Sequence, residues 1–521
     1  MVSSSNSKSR LLATSHPLLY EVNTRLLLKE LSVREGKRVT LATIPDEVLN
    51  GWVEVGLDAV WMMGIWETGP LGVKIAREHE GLRAEYMKVL PDFTDADVIG
   101  SPYAIRAYRP AREIGGFKGL ATLYRRLKER RLGLVLDFVC NHTARDHDWV
   151  ASHPEYYVLG DKEDDVKRPE AFFKTHTTKG DRVIAFGRDP VFPGWTDTAQ
   201  LNYNSVEVRQ AVIHEIQAIA AYCDGLRCDM AILVLKNVFR RTWGDLARQK
   251  GEAPTEEFWG EAIRTVKGVL PQFKFIAEAY WNLEWELQQF GFDFTYDKIL
   301  YDRLLREGAS SVREHLKAEV GFQKRSVRFI ENHDEPPAAA LLPSDAWHYA
   351  AATIASTVPG MVLYHDGQFE GRSAKIPVQL ARRPNQPVNA RTRSFYERLL
   401  SCLTSEVFSK GEWQMLHIRP AWHDNPTWQD YLAFWWAEPS AGIRFVVVNY
   451  APHNSQCFID LPQYSLNGSP MEFRDLMSNA VYVRERNGIV SKGMFFDLPA
   501  YGIHIFHVAP LHRWTQMGRS G

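Results

Sequence analysis

Four short stretches of this chain end in groups able to act on a polar substrate. "DFVCNH" supplies Asp137, Asn141 and His142, and "GLRCD" supplies Arg227 and Asp229. "AEAYW" supplies Glu278, and "ENHD" supplies Asn332, His333 and Asp334. Each follows an apolar run, as the end of a buried strand would. Arg227 and Asp229 stand two residues apart, so on a strand both side chains leave from one face. Carboxylates crowded together raise one another's pKa, whereas a guanidinium lowers that of its neighbour. Such a site offers one ionised and one protonated carboxyl near neutral pH, the pair that cleavage of a glycosidic bond requires. His142 and His333 suit hydrogen bonding to sugar hydroxyls, and Tyr103 in "GSPYAI" offers a flat face for stacking.

These groups are far apart in the chain, so only a fold that gathers strand ends unites them. Eight β-like runs, at 18–26, 57–65, 132–139, 223–231, 274–280, 292–297, 326–334 and 361–367, are separated by helical sequence such as 115–131, 205–222 and 255–270. Strict β-α alternation predicts a parallel sheet, and eight units predict an α/β fold of the (β/α)8 TIM barrel type, whose C-terminal strand ends share one rim. No Gly-rich turn follows the first run, which disfavours an open dinucleotide-binding sheet. Residues 143–204, rich in Asp, Lys, Pro and His, read as a functional insertion after strand 3. Beyond the helix near 388–403 come "YLAFWWAE", "IRFVVVNY", "MEFRDLM", "MFFDLP" and "GIHIFHV", the pattern of an antiparallel β-sandwich. The expected division is 1–142 with 205–404 as the barrel, 143–204 as the insertion and 405–521 as a C-terminal β domain.

Composition narrows the partner. The 62 Lys and Arg nearly cancel the 63 Asp and Glu of the 521-residue chain, which leaves no electrostatic footprint for nucleic acid or an anionic membrane. Sixteen Trp and 12% aromatic residues suit a neutral carbohydrate, although most such rings serve a core. Trp66, Trp195 and Trp281 fall near expected rim segments; each is as well placed for packing as for stacking, and Trp66 and Trp281 are counted as candidate sugar contacts. The five Cys form no C-x-x-C pair, which argues against a disulfide framework or a structural zinc. "HTARDHDW" (142–149) holds possible metal ligands, but the first strand lacks the His-x-His of metal-dependent barrel hydrolases, so no metal is expected. Without an apolar leader or an apolar run of about 18 residues, a cytoplasmic location is expected, and the sequons at Asn141 and Asn467 read as coincidence. The oligomeric state is left open.

The four strand ends, in this order, resemble the four signature regions of the α-amylase family, glycoside hydrolase family 13. "LYEVNTRLL", "GSPYAI" and "GLATLYRRLKERRLGLVLDFV" agree with it, and the likeness spans about residues 17–400. The resemblance implies Asp229 as nucleophile, Glu278 as general acid/base and Asp334 as transition-state stabiliser. It implies that Tyr103, His142, Arg227 and His333 line the subsite of the sugar being cleaved, with Asp137 in the same network. The implied function is a retaining hydrolase of α-glucosidic bonds working by double displacement. The alternative is a transglycosylase or isomerase, similar to trehalose synthase, using the same covalent intermediate. Non-catalytic proteins of this fold lack the carboxylates and carry a membrane span, so that class fits less well. The chain departs from the family at Ile232 and Leu233, where many amylases carry a Lys that contacts sugar and a His whose carbonyl helps bind calcium. Catalysis is therefore expected to need no cofactor. The remaining candidates for a calcium site are Asn141, Asp161, Asp164, Asp165 and the Leu233 carbonyl, and packing of Phe192 and Trp195 is expected to hold the insertion to the rim.

Overall fold

Strand β1 (Leu18–Asn23) pairs with β2 (Ala59–Met63), and the series continues through β3 (Gly133–Val139), β4 (Gly225–Asp229), β5 (Lys274–Ala277), β6 (Phe294–Tyr296), β7 (Ser326–Arg328) and β8 (Met361–His365). β8 returns to pair with β1, so the eight parallel strands close a barrel in sequence order, as expected. This is a computed structural model, and it describes residues 11, 14–247, 254–462, 466 and 470–511; the Asn467 sequon lies outside them. β1, β2 and β3 are buried at every position, because one face fills the barrel and the other lies under helices. The covering helices show why the amphipathic stretches read correctly. Gly116–Glu129 buries Leu120, Leu123 and Leu127 and carries Arg126 and Lys128 in its last turn, where cations complement the helix dipole. Val206–Ala220 starts at Ser205, whose hydroxyl accepts the Val208 N–H at 3.3 Å.

Two expectations need correction. The seventh run was read as a strand over 326–334, yet hydrogen-bonded β7 stops at Arg328. Asn332 Oδ1 accepts the N–H groups of Asp334 and Glu335, each at 2.9 Å, and this turn ends the extended chain. The insertion also holds more structure than its weak periodicity suggested. His142–Ala144 pairs antiparallel with Thr198–Gln200, and Phe172–Thr177 forms a hairpin with Gly180–Ala185. Burial in the hairpin comes in blocks, with Phe172 and Phe173 and then Val183, Ile184 and Ala185 buried in succession, so no alternation shows in the sequence.

Between β2 and β3 the chain adds a ribbon (Trp66–Thr68 with Ile105–Pro110) and two helices, Pro70–Glu78 and Glu80–Val89. The segment after β8 is latched to them: Arg382 forms ion pairs with Asp97 at 3.0 Å and Asp92 at 3.1 Å. Together they wall one side of the C-terminal rim.

The C-terminal region is a sandwich of a six-stranded antiparallel sheet and a three-stranded one, with Tyr431–Glu438 and Gly442–Asn449 central to the larger. Strand alternation gives this sheet two buried faces. Leu432, Phe434, Trp436, Val446 and Val448 join the barrel core. Ala433, Trp435, Phe445 and Val447 pack with the smaller sheet. Trp436 Nε1 donates to the Thr357 carbonyl at 2.7 Å, tying the sheet to the barrel helix Asp345–Thr357. Among the described residues no helix is long and apolar enough to cross a membrane, and all five cysteines are buried and unpaired.

Candidate active site

Parallel registry assembles the site. In β4, Arg227 lies beside Asp137 of β3 and Ile276 of β5, and Asp229 lies beside Val139. Arg227 and Asp229 share a face as their spacing predicted, and Arg227 Nη1 is 2.7 Å from Asp229 Oδ1. The other terminal nitrogen, Nη2, is 2.8 Å from Glu278 Oε2 and 4.0 Å from Asp334 Oδ2. Asp137 Oδ1 is 4.0 Å from Nη1. Four carboxylates from four strand ends thus surround one guanidinium. Its flat faces are boxed by the rings of Trp61, Tyr103 and Tyr296 at 5.1, 5.4 and 5.7 Å. Arginine suits this post because it holds its charge when buried and stacks on aromatic faces.

The chain turns sharply after Asp229. Met230 adopts φ +41°, a left-handed conformation that a side chain resists. The turn aims its N–H at Glu278 Oε2, 2.6 Å away. Tyr280 donates its hydroxyl to the other oxygen, Oε1, at 2.7 Å. On the opposite side His333 sits between three groups. Its Nδ1 is 2.5 Å from Glu21 Oε1, and its Nε2 is 2.7 Å from the Tyr103 hydroxyl and 3.0 Å from Asp334 Oδ2.

So many buried acids cannot all be ionised cheaply. Burial, opposed by Arg227 and reinforced by Asp229 and Asp334, pushes the Glu278 carboxyl up to about 7. Burial likewise lifts Asp137 to about 6 against the pull of Arg227. Asp334, whose side chain is 47% exposed, goes the other way: desolvation by the walls around it raises its pKa, but the His333 cation and Arg227 outweigh that and hold it below the usual carboxylate range. Burial disfavours the His333 cation, yet Asp334 and Glu21 raise it well above its ordinary value. His142 is brought down to about 4 by burial, so it faces the cleft as a neutral imidazole.

The rim opens into a cleft of about 590 Å³ that Tyr103, His142, Asp229, Glu278, Trp281 and Asp334 line together. His79 and Leu82 of the added helices, with Gln379 of the segment after β8, face it from the wall. Phe192 and Trp195 bring the insertion to the same cleft, but Phe192 is 65% exposed and does not anchor it as expected, whereas Trp195 packs on His142 with ring centroids 5.1 Å apart. The other candidates are placed differently. Arg227, Asp137 and His333 are 1%, 2% and 5% exposed and lie beneath the cleft surface, acting on the groups that line it. Trp66 does not reach the cleft; 2% exposed, it donates its Nε1 to the Asp137 carbonyl at 2.8 Å and stacks edge-on against Tyr108. Trp66 therefore supports β3 instead of contacting sugar.

Sequence reasoning missed Glu21, Tyr280 and the Met230 N–H. Glu21 carried a signal, a lone acid inside a fully buried strand. Tyr280 follows Glu278 by two residues, the same spacing that paired Arg227 with Asp229.

Two of the positions considered for calcium, Asn141 and Asp164, are engaged by partners within the protein. Asn141 Oδ1 accepts from Gln200 Nε2 at 3.0 Å. Asp164 is engaged by Arg168 at 2.6 Å and by the Asp161 N–H at 2.7 Å. The side chains of Ile232 and Leu233 are buried in the core. Among the described residues no three His, Cys, Asp or Glu gather as a metal-holding group.

Comparison with known proteins agrees with this architecture. Residues 53–376, more than half of the chain, match the family described as alpha amylase, catalytic domain. Alpha-amylase MalA of Haloarcula japonica is 25% identical over 260 residues, covering 47% of this chain and 33% of that protein. Alpha-amylase 3 of Dictyoglomus thermophilum is 21% identical over 296 residues, covering 52% and 53%. The chain thus spans about a third to a half of the length of these curated relatives. Among solved structures, the noncanonic maltogenic alpha-amylase AmyB from Thermotoga neapolitana superposes with a TM-score of 0.65 at 20% identity, covering 96% of this chain and 99% of that one. The Anoxybacillus alpha-amylase gives 0.64 at 17% identity, covering 96% and 99%. At these identities the superpositions establish the fold, while the catalytic-domain match over residues 53–376 shows that the chain belongs to the α-amylase family.

Proposed function

We propose that the protein is a retaining glycoside hydrolase acting on α-glucosidic bonds. The observation that carries this reading is that Asp229 and Glu278, from neighbouring strands, contact the same guanidinium through its two terminal nitrogens. Asp229 meets Arg227 through Oδ1 as an ion pair, leaving Oδ2 to attack the anomeric carbon. Glu278, with its pKa near 7, carries a proton for the leaving oxygen. Once the proton has left, the Glu278 carboxylate takes one from water, and the glycosyl ester on Asp229 is hydrolysed. Asp334, kept anionic by His333, faces the positive charge that develops on the sugar ring. Neutral His142 hydrogen-bonds a ring hydroxyl, and Tyr103 presents its face to the apolar side of the sugar.

A sugar hydroxyl in place of water would turn the same intermediate toward transfer or isomerisation. The aromatic walls of the cleft, Trp281, Phe192 and Trp195, give that second reading a place for an acceptor. Incubation with maltose, trehalose, sucrose and soluble α-glucans, followed by product analysis, tests both. Free glucose as the main product supports hydrolysis, and new glucosides support transfer. No turnover of any α-glucoside would refute the proposal.

A further inference from the structure

We infer that the side-chain amide of Gln200 takes the structural place of a cation, joining the end of β3 to the end of the insertion, so that this joint works without a divalent ion. Gln200 stands opposite His142 in the short ribbon that closes the insertion. Its Nε2 lies 2.9 Å from Asn141 O, 3.0 Å from Asn141 Oδ1 and 3.0 Å from Leu201 O. Gln200 and Asn141 are both fully buried. Three oxygens from two chain segments therefore converge on one nitrogen, as oxygens converge on an ion, but at N–H···O distances and not at the roughly 2.3–2.6 Å of calcium coordination.

The orientation of the amide is forced. Reversing it would set Oε1 against the same three oxygens, a purely repulsive arrangement. As placed, Oε1 is buried and finds no hydrogen-bond partner among the described residues. A buried acceptor left unmade is unfavourable, so the donor side of the amide decides how the residue sits. The charges agree. All three oxygens are neutral, whereas affinity for calcium grows with the number of charged ligands. Two N–H bonds satisfy this cradle; a dication would stay under-neutralised.

The joint bears on the cleft. Asn141 precedes His142, and Asn141 Nδ2 is 3.3 Å from His142 Nδ1. Gln200 thereby fixes the backbone from which His142 enters the cleft.

The inference goes beyond the catalytic reading, and its test needs no substrate. Melting temperature and calorimetric calcium titration are measured on the full chain as wild type, Gln200→Glu and Gln200→Met. The wild type should melt at the same temperature in chelator and in millimolar calcium, and calcium should give no binding heat. Gln200→Glu places a carboxylate oxygen against the cradle; its Tm should fall by about 2–4 °C in chelator and recover with calcium. Gln200→Met, which keeps the length and removes the donors, should melt lower than wild type and ignore calcium. A wild type stabilised by calcium would overturn the inference. So would a Gln200→Met variant as stable as wild type, or a folded Gln200→Glu variant that calcium fails to restore. If Gln200→Glu does not fold, the other two proteins still decide.

Discussion

His333 Nδ1 lies 2.5 Å from Glu21 Oε1, joining β1 to the end of the seventh barrel unit across 312 residues of chain. The contact fixes the ring so that its other nitrogen meets Tyr103 and Asp334. Glu21→Gln removes the charge from this bond. It should lower kcat/KM by about 10–100-fold, the equivalent of one charge-assisted hydrogen bond, with the fold retained by circular dichroism. Unchanged kcat/KM would show that Asp334 does not depend on the Glu21–His333 pair.

The same cluster sets a pH window for stability. His333 is raised in the folded state, so its contribution is full below about 6.5 and is lost as pH rises through the folded value. Asp334 is depressed, so its contribution is present above about 3.8 and is lost as pH falls through its folded value. Both act together between roughly pH 4 and 6.5. Urea midpoints against pH should show wild type losing more stability than His333→Gln on leaving that window in either direction. Parallel curves would remove the cluster from the account.

Glu278 must be protonated to act as an acid, so the rate should fall as pH rises through about 7. Tyr280 donates to Glu278 Oε1, which favours the charged form. In Tyr280→Phe the alkaline limb of kcat/KM should move to higher pH, by up to about one unit. A limb that stays put, or moves down, would deny Tyr280 this role.

Separate roles for the two carboxylates have a kinetic signature. Asp229→Ala should abolish turnover of every substrate, since no other group attacks the anomeric carbon. Glu278→Ala should keep activity on aryl glycosides whose leaving group needs no proton, and lose it on maltose. Double displacement further requires the two carboxyl groups to stand roughly 5–5.5 Å apart, on either side of the bond being cleaved. Proton NMR of the first-formed sugar should therefore show the α-anomer, and an initial β-anomer would end the double-displacement reading.

Trp436 links the sandwich to the barrel by burial and by its bond to Thr357. Trp436→Ala should cost about 3–5 kcal/mol of stability, as loss of a buried indole usually does. Chemical denaturation would measure it, and a loss under about 1 kcal/mol would mean that the two regions hold together by other contacts.

The sequence alone pointed to the barrel, because eight apolar runs alternating with amphipathic helices imply a parallel sheet and no Gly-rich turn of the open-sheet kind follows the first run. It also marked the strand ends where ionisable groups gather, since "GLRCD" and "ENHD" place such groups where only a rim gives them water. The tertiary structure alone decided how those groups are arranged. Asp137, Arg227 and His333 look alike as strand-end candidates, yet they lie beneath the cleft, and Trp66 lies away from it. Glu21 and Tyr280 enter through contacts that depend on which strands become neighbours. Local sequence sets the direction in which a side chain leaves its strand; its burial, its partners and therefore its charge are set by residues hundreds of positions away. That is why the proposed nucleophile and acid were legible as types and places, whereas the surroundings that raise Glu278 required the folded site.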